Sequence, residues 1–315
     1  MAQRAPLEQA YAHVCEQRKR HSPHNSIWQL RGQWPQERTQ LQRDLLYGQY
    51  RFEQLRRYHI GGSHIDVWSA RDAVVLKALA LELKPYWLAV LSPHCHHLQG
   101  PSGIPRVLSE LSQVVGRYRF VCRSDVKWYY ASLRHHHLLR LLKGHIKDRR
   151  LLRLIGAALR YTVCDGGEYM TYTQGVPLGS PLSPLLGALY LSELDALLDR
   201  CKRVFYALYM DDWIILAWDR QQFKGIIRRM NELLHAVEVE KHPDKTFIGK
   251  VERGVSFLGV RFDPQGVSVA TESLVKGQRR VLELQEQGAS FERVQQYLAR
   301  HEAWYERILS RCALA

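Results

Sequence analysis

A chain of 315 residues, 46% of them apolar, is ordinary for a globular protein and long enough to bury a large core as one elongated unit or two compact domains. Its formal net charge of +14, with Arg and His spread along the whole length, points to a polyanionic partner, and eight Trp and 16 Tyr supply flat surfaces on which bases can stack. Six scattered cysteines speak against a disulfide framework or a zinc ribbon, and the longest apolar stretch, Ala73 to Leu83, is broken by Lys77 and Glu82, so no signal peptide, no membrane span and a cytoplasmic location are expected.

Residues 1 to 50 mix basic, Gln and aromatic residues, with Leu41, Leu45 and Leu46 at helical spacing before Gly48, and predict a helical extension. Tyr50 to Leu55 and Arg56 to Ile60 alternate like strands, Gly61-Gly62 signals a turn, and Ile65 to Trp68 alternates again. A helix is predicted from Ala70 to about Leu83, capped by Ser69. His94-Cys95-His96-His97 invites a metal assignment, but adjacent ligands on one loop cannot all face one ion.

Arg119 to Leu133 predicts a strand that ends in an acid, Asp125, and turns into a helix. His135-His136-His137 falls on a predicted helix, where successive side chains point about 100° apart, so at most one can face a substrate. A basic helical stretch (Leu138 to Tyr161) and a Gly166-Gly167 turn lead to Gln174-Gly175-Val176-Pro177-Leu178-Gly179-Ser180-Pro181, whose glycines allow close backbone approach to a ligand, and then to an apolar helix through Leu194. Phe205 to Ala217 reads as two apolar strands joined by a tight turn with Asp211 and Asp212 at its tip. Paired acids between buried strands repel unless a cation or proton sits between them. Gln221 to Ala236 is an amphipathic helix, and from Thr271 the pattern is helical and basic with a break at Gln285 to Ser290.

An apolar strand, then Tyr209-Met210-Asp211-Asp212, then a second apolar strand resembles the catalytic hairpin of reverse transcriptases, in particular the bacterial group II intron-like and defence-associated stand-alone kind. The resemblance implies an α+β fold, a right-hand polymerase whose β-sheet palm carries the catalytic acids. It implies an N-terminal helical extension over 1–50, fingers and palm over 51–265, and a short helical thumb over 266–315. Asp125 then matches the first catalytic motif, so Asp125, Asp211 and Asp212 are the expected catalytic acids. With the Val126 carbonyl they would hold two Mg²⁺ ions, for which Mn²⁺ can substitute. Tyr130, five residues after Asp125, stands where the family closes an aromatic over the 2′ position of the incoming sugar. Leu178 and Gly179 lie in the loop placed against template and nucleotide, and Leu178 replaces the usual Gln, as in the error-prone diversity-generating branch. Lys245, in His242-Pro243-Asp244-Lys245-Thr246, matches a lysine that approaches the triphosphate. Ser63 and His64 replace the basic residue usual after the hairpin glycine, which leaves Arg71, or Arg56 and Arg57, for the triphosphate clamp. Phe257-Leu258-Gly259 resembles the primer grip.

The implied activity is RNA-directed DNA synthesis on an RNA template from deoxynucleoside triphosphates. The expected partner is a dedicated non-coding RNA in phage defence, with a partner protein or a second copy as a further candidate. No nuclease or integrase pattern follows the thumb. The alternatives are a polymerase remnant of a mobile retroelement, a catalytically silent RNA-binding scaffold, and an RNA polymerase or template-independent transferase of the same fold, against which Tyr130 argues.

Overall fold

A computed structural model describes residues 4–60 and 62–313, so Gly61, half of the expected turn, lies outside the described residues. In chain order the elements are α1 (Arg4–Gln17), α2 (Ser26–Gly32), α3 (Trp34–Tyr47), β1 (Leu55–Ile60), β2 (Ser63–Val67), α4 (Ala70–Leu88), α5 (Gly103–Val114), β3 (Phe120–Asp125), α6 (Tyr129–Ser132), α7 (His135–His145) and α8 (Arg149–Leu159). They continue with β4 (Thr162–Asp165), β5 (Glu168–Thr171), α9 (Ser183–Tyr190), α10 (Ser192–Asp199), β6 (Val204–Tyr209), β7 (Asp212–Ala217) and α11 (Arg220–Ala236). The last are β8 (Phe247–Lys250), β9 (Val255–Phe257), β10 (Val260–Asp263), β11 (Gly266–Val269), α12 (Thr271–Glu286) and α13 (Phe291–Ala313). The chain folds as two compact units, one from Met1–Ser92, Lys127–Glu193 and His235–Val239, the other from Pro93–Val126, Leu194–Leu234 and Glu240–Ala315.

In the first unit α1 lays Leu7, Ala10 and Val14, spaced for one helical face, against α4, and all three are buried. Ser69 caps α4 as expected, its Oγ accepting the Asp72 N–H at 3.1 Å. The helix outruns its predicted end and continues through Pro85 to Leu88. The strand expected from Tyr50 does not begin until Leu55, because Asp72 claims the preceding segment. Its Oδ1 accepts the Tyr50 hydroxyl at 2.6 Å and its Oδ2 the Glu53 N–H at 3.1 Å, so those groups are satisfied without a ladder. The sheet runs β2-β1-β4-β5, with β1 and β4 parallel and both hairpins antiparallel. The apolar helix expected through Leu194 breaks at Leu191 into α9 and α10.

The second unit is built on an antiparallel sheet of order β6-β7-β3-β8, with a smaller sheet of order β11-β10-β9. One core joins α5 (Val107, Leu108, Leu111), the inner faces of β3, β6 and β7 (Val121, Ala207, Ile214, Leu216), the smaller sheet (Phe257, Phe262) and α13 (Ile308). Strand alternation and helical spacing both point here, which fixes the register of β7 against β3. Helices α12 and α13 are separated at residues 287–290, where Gly288 takes a φ of 70°.

Candidate active site

The three acids converge in the second unit, with one correction to their placement. Tyr209 pairs with Asp212 across the hairpin, so the two-residue turn is Met210-Asp211 and Asp212 is the first residue of β7. Asp125 ends β3 directly opposite Asp212, and directly opposed residues of an antiparallel pair project to one face. Asp211 is tied to the same edge by its backbone, its carbonyl accepting the Val126 N–H at 3.2 Å. Met210 is held at a φ of 58°, a conformation costly for a side chain of its size and found mainly at functional turns.

Three neighbours that spacing alone does not bring to this site hold it in shape. His97 Nδ1 accepts the Met210 N–H at 3.0 Å, so part of the run that suggested a metal site instead supports the Met210-Asp211 turn. The same segment joins β6 through a bridge between Cys95 and Leu208. Arg123 Nη2 lies 3.3 Å from Asp212 Oδ1. The third is the His242 N–H, donated to the Asp125 carbonyl at 2.7 Å, which brings the following turn against β3. That turn carries Lys245, whose Nζ stands 2.6 Å from Asp125 Oδ2. None of these contacts leaves a spacing signal, since each partner is distant in sequence.

Burial raises the carboxyls of Asp211 and Asp212 above the ordinary range, and the adjacent acids push the same way. Lys245 opposes both shifts, and Arg123 opposes that of Asp212. Three carboxylates thus face two cations, an excess of negative charge built from hard oxygen donors, which suits divalent ions such as Mg²⁺ or Mn²⁺. Among the described residues no three His, Cys, Asp or Glu side chains close into a finished metal cage. Asp125 Oδ2 is turned instead to the Lys245 ammonium, which stands 2.6 Å away.

Phe257, Leu258 and Gly259 also lie in this unit. Leu258-Gly259 joins β9 to β10 with φ values of 48° and 87°, the signature of a two-residue type I′ hairpin turn. A Cβ at Gly259 would stand 3.0 Å from both Ser273 Oγ and the Tyr305 hydroxyl, a tight fit that adds to the conformational preference for glycine at this positive φ.

Tyr130, Leu178, Gly179 and Arg71 belong to the first unit. Tyr130 and the 174–180 loop adjoin there: the Val176 N–H donates to the Tyr130 carbonyl at 2.7 Å and the Gly175 N–H to the Leu133 carbonyl at 2.8 Å. The close backbone approach made at Gly175 is to the chain's own Ala131, whose carbonyl oxygen would lie 3.0 Å from a Cβ. The Ser180 N–H donates to the Pro177 carbonyl, and Gly179 at a φ of 81° completes a type II turn with Leu178 at its outer corner, 71% exposed. Arg71 is engaged elsewhere, 2.9 Å from both Glu37 and Asp44 and stacked over Tyr50. Arg57 is likewise committed to Asp66, whereas Arg56 is exposed. Of the three histidines on α7, His135 and His137 are buried and burial lowers their pKa, so only His136 faces outward.

Comparison with known proteins bears on the family and the fold. The profile of the reverse transcriptase (RNA-dependent DNA polymerase) family matches residues 67–262. Protein YkfC of Escherichia coli K12 is 23% identical over 265 residues, covering 70% of each chain. The group II intron-encoded protein LtrA of Lactococcus lactis subsp. cremoris is 24% identical over 164 residues, half of this chain but 27% of that protein. Among solved structures, apo telomerase from Candida tropicalis truncated from its C-terminal domain superposes with a TM-score of 0.54 at 12% identity, covering 69% of this chain and 54% of that one. Telomerase from Candida albicans in complex with a fragment of telomeric RNA gives a TM-score of 0.55 at 13% identity, covering 75% and 50%. The chain thus spans about half the length of these telomerase chains, and at such identities the likeness bears on the fold alone, a right-hand polymerase. A family match over residues 67–262 that contains Asp125, Asp211 and Asp212 carries the assignment: this chain belongs to the reverse transcriptase family, the RNA-dependent DNA polymerases.

Proposed function

We propose that this chain extends a primer 3′ end with deoxynucleotides on an RNA template, using Asp125, Asp211 and Asp212 as its catalytic acids. The observation that carries the reading is the register of β3 against β7, with Asp125 opposite Asp212, Asp211 on the adjoining turn and Lys245 Nζ 2.6 Å from Asp125. Asp125 and Asp211, with Asp212 and the Val126 carbonyl in support, would hold two Mg²⁺ ions, for which Mn²⁺ can substitute. Divalent ions so held supply Lewis acidity to the primer hydroxyl and charge compensation to the departing pyrophosphate. Lys245 exchanges its contact with Asp125 for the triphosphate and offers a cation and a proton on the leaving side. Tyr130 bounds the sugar pocket, Leu178 and Gly179 border the nascent pair, and Leu258-Gly259 steadies the primer. Within this reading residues 1–50 are a helical extension, 51–265 fingers and palm, and 266–315 the thumb, and the exposed Arg56, rather than Arg71 with its ion pairs to Glu37 and Asp44, meets the triphosphate.

Asp211→Asn tests the assignment. It removes a metal ligand and little of the basic surface, so DNA synthesis should fall by at least a hundredfold, about 3 kcal/mol of barrier, while RNA binding stays within a few-fold of wild type. Near-normal extension by the purified variant would sink it. For the biological setting we propose a dedicated non-coding RNA acting in phage defence, a reading supported by the resemblance in sequence. Sequencing the RNA that co-purifies with the chain decides between one dominant RNA species and a random sample.

A further inference from the structure

At the end of the main sheet away from the acids, three cavities of about 400, 630 and 300 Å³ share walls and form a groove along β8, the edge strand. Phe223, Lys224 and Ile248 line the first two, and Arg119, Phe120 and Lys250 line the last two. Phe120 opposes Ala217 and Lys250, five residues along β3 from Asp125, so the groove lies about 17 Å of strand from the catalytic acids.

The central cavity combines three features. Its floor is apolar, with the rings of Phe120 and Phe223 stacked at 5.7 Å. Trp218, the residue after β7, is 53% exposed beside it, and the Arg119 guanidinium lies 5.8 Å above the indole. Five cations (Arg119, Arg220, Lys224, Lys250, Arg253) line it against one carboxylate, Asp219. That carboxylate is oriented by the chain, its Oδ1 accepting the Gln222 N–H at 2.7 Å in the first turn of α11, and it offsets one of the five cations. A second acid, Glu252, pairs with Lys250 at 3.0 Å and also attracts Arg253 and Arg119, so five cations stand against two carboxylates and the groove keeps a net positive charge. A flat aromatic platform ringed by cations is the chemistry that binds unpaired nucleic acid, a base stacking while the phosphates are neutralised. An added protein strand fits less well, because Lys250 puts a charge on the edge strand.

We propose that this groove is a second nucleic-acid site that holds an unpaired stretch of single-stranded RNA, with a base on Trp218 and phosphates on Arg119, Arg220 and Arg253. The choice of RNA over DNA rests on the polymerase reading, in which the strand that reaches beyond the acids unpaired is the template. The site itself does not use the acids.

The test uses the full chain with a saturating, unlabelled, blunt RNA–DNA hairpin to occupy the catalytic cleft, and follows the anisotropy of a labelled oligouridylate of about 12 nucleotides. The intact chain should still bind it. Trp218→Ala should weaken binding about tenfold, and Arg119→Ala with Arg253→Ala should flatten the plot of log affinity against log salt by about 1.4. Extension on a short template should stay unchanged in these variants. Full displacement of the label by the hairpin, wild-type affinity in both variants, preference for the deoxy oligomer, or binding of polyglutamate in place of RNA would overturn the proposal. If Trp218→Ala does not fold, 4-thiouridine RNA crosslinked to the intact chain decides the matter: crosslinks at Trp218 or Arg119 support the site, and crosslinks confined to other regions overturn it. Asp211→Asn should keep this binding, so the two readings fail separately.

Discussion

Leu178 stands at the corner of a type II turn, 71% exposed, with its side chain open to solvent. Leu178→Gln therefore buries no amide, and its stability should stay within about 0.5 kcal/mol of wild type. An aliphatic side chain packs without a directional bond and discriminates by about 1–3 kcal/mol, whereas a hydrogen-bonding group rejects poor matches more strongly. Error rate on a heteropolymer template should fall in Leu178→Gln, measured beside its melting temperature; an unchanged error spectrum in the folded variant would remove Leu178 from nucleotide selection. Tyr130 is open to a similar measurement. Tyr130→Val should raise the ratio of ribo- to deoxynucleotide efficiency by at least tenfold, and a constant ratio would mean another group guards the sugar. At this scale the apolar strands that frame Asp125, Asp211 and Asp212 let the sequence single them out as the candidate acids. It did not reveal that Arg71 is occupied by Glu37 and Asp44, since ion pairs between separate helices have no spacing rule.

The β6–β7 hairpin shows what periodicity can and cannot resolve. Alternation located both strands, but a two-residue turn can be drawn at either of two registers, and the tip is Met210-Asp211 rather than Asp211-Asp212. The difference matters because it puts Asp212 on a ladder opposite Asp125 and leaves Asp211 on a turn whose Met210 is held at positive φ. Such a turn needs outside support, and the Met210 N–H finds it in His97 Nδ1 at 3.0 Å. His97→Ala should cost about 1 kcal/mol of stability through the lost bond and about tenfold in single-turnover extension through misplacement of Asp211. His97→Asn, which keeps an acceptor on a shorter arm, should recover part of the rate. Equal rates in all three proteins would show that the turn holds its shape unaided. The β9–β10 turn raises a parallel question, because Leu258 takes a φ of 48° where asparagine or glycine is the usual choice.

For the molecule as a whole, linear reading cannot anticipate that residues 127–193 and 235–239 fold with the N-terminal part while 93–126 joins the rest. Each crossing is a contact choice made by tertiary packing between segments distant in sequence. Buried acids are equally hidden from sequence, and they bear on global stability. Asp195 is 3% exposed, and burial, with Asp199 nearby, pushes its carboxyl up to about 7, while the Cys95 thiol donates to its Oδ2 at 3.2 Å.

A carboxyl raised in the folded state binds more protons folded than unfolded, so its contribution to stability is lost as pH rises from the unfolded value near 4 to the folded value near 7. Above pH 7 the cost approaches about 4 kcal/mol at 1.36 kcal/mol per pH unit, and at pH 5 it is under half of that. Asp195→Asn removes the titration but buries an amide N–H pair, a penalty of about 1–3 kcal/mol that does not vary with pH. The substitution should therefore destabilise or be neutral at pH 5 and stabilise at pH 8, with ΔΔG differing by about 2–3 kcal/mol between the two. Asp72 supplies the contrast: burial raises it to about 6, but it accepts from Tyr50, Ser69 and Glu53, more than the single oxygen of an asparagine can serve. Asp72→Asn should thus destabilise at both pH values. Denaturant unfolding of the two variants at pH 5 and pH 8 checks the pair, and a ΔΔG for Asp195→Asn that does not change with pH would mean that the carboxyl is already ionised in the folded protein at pH 5.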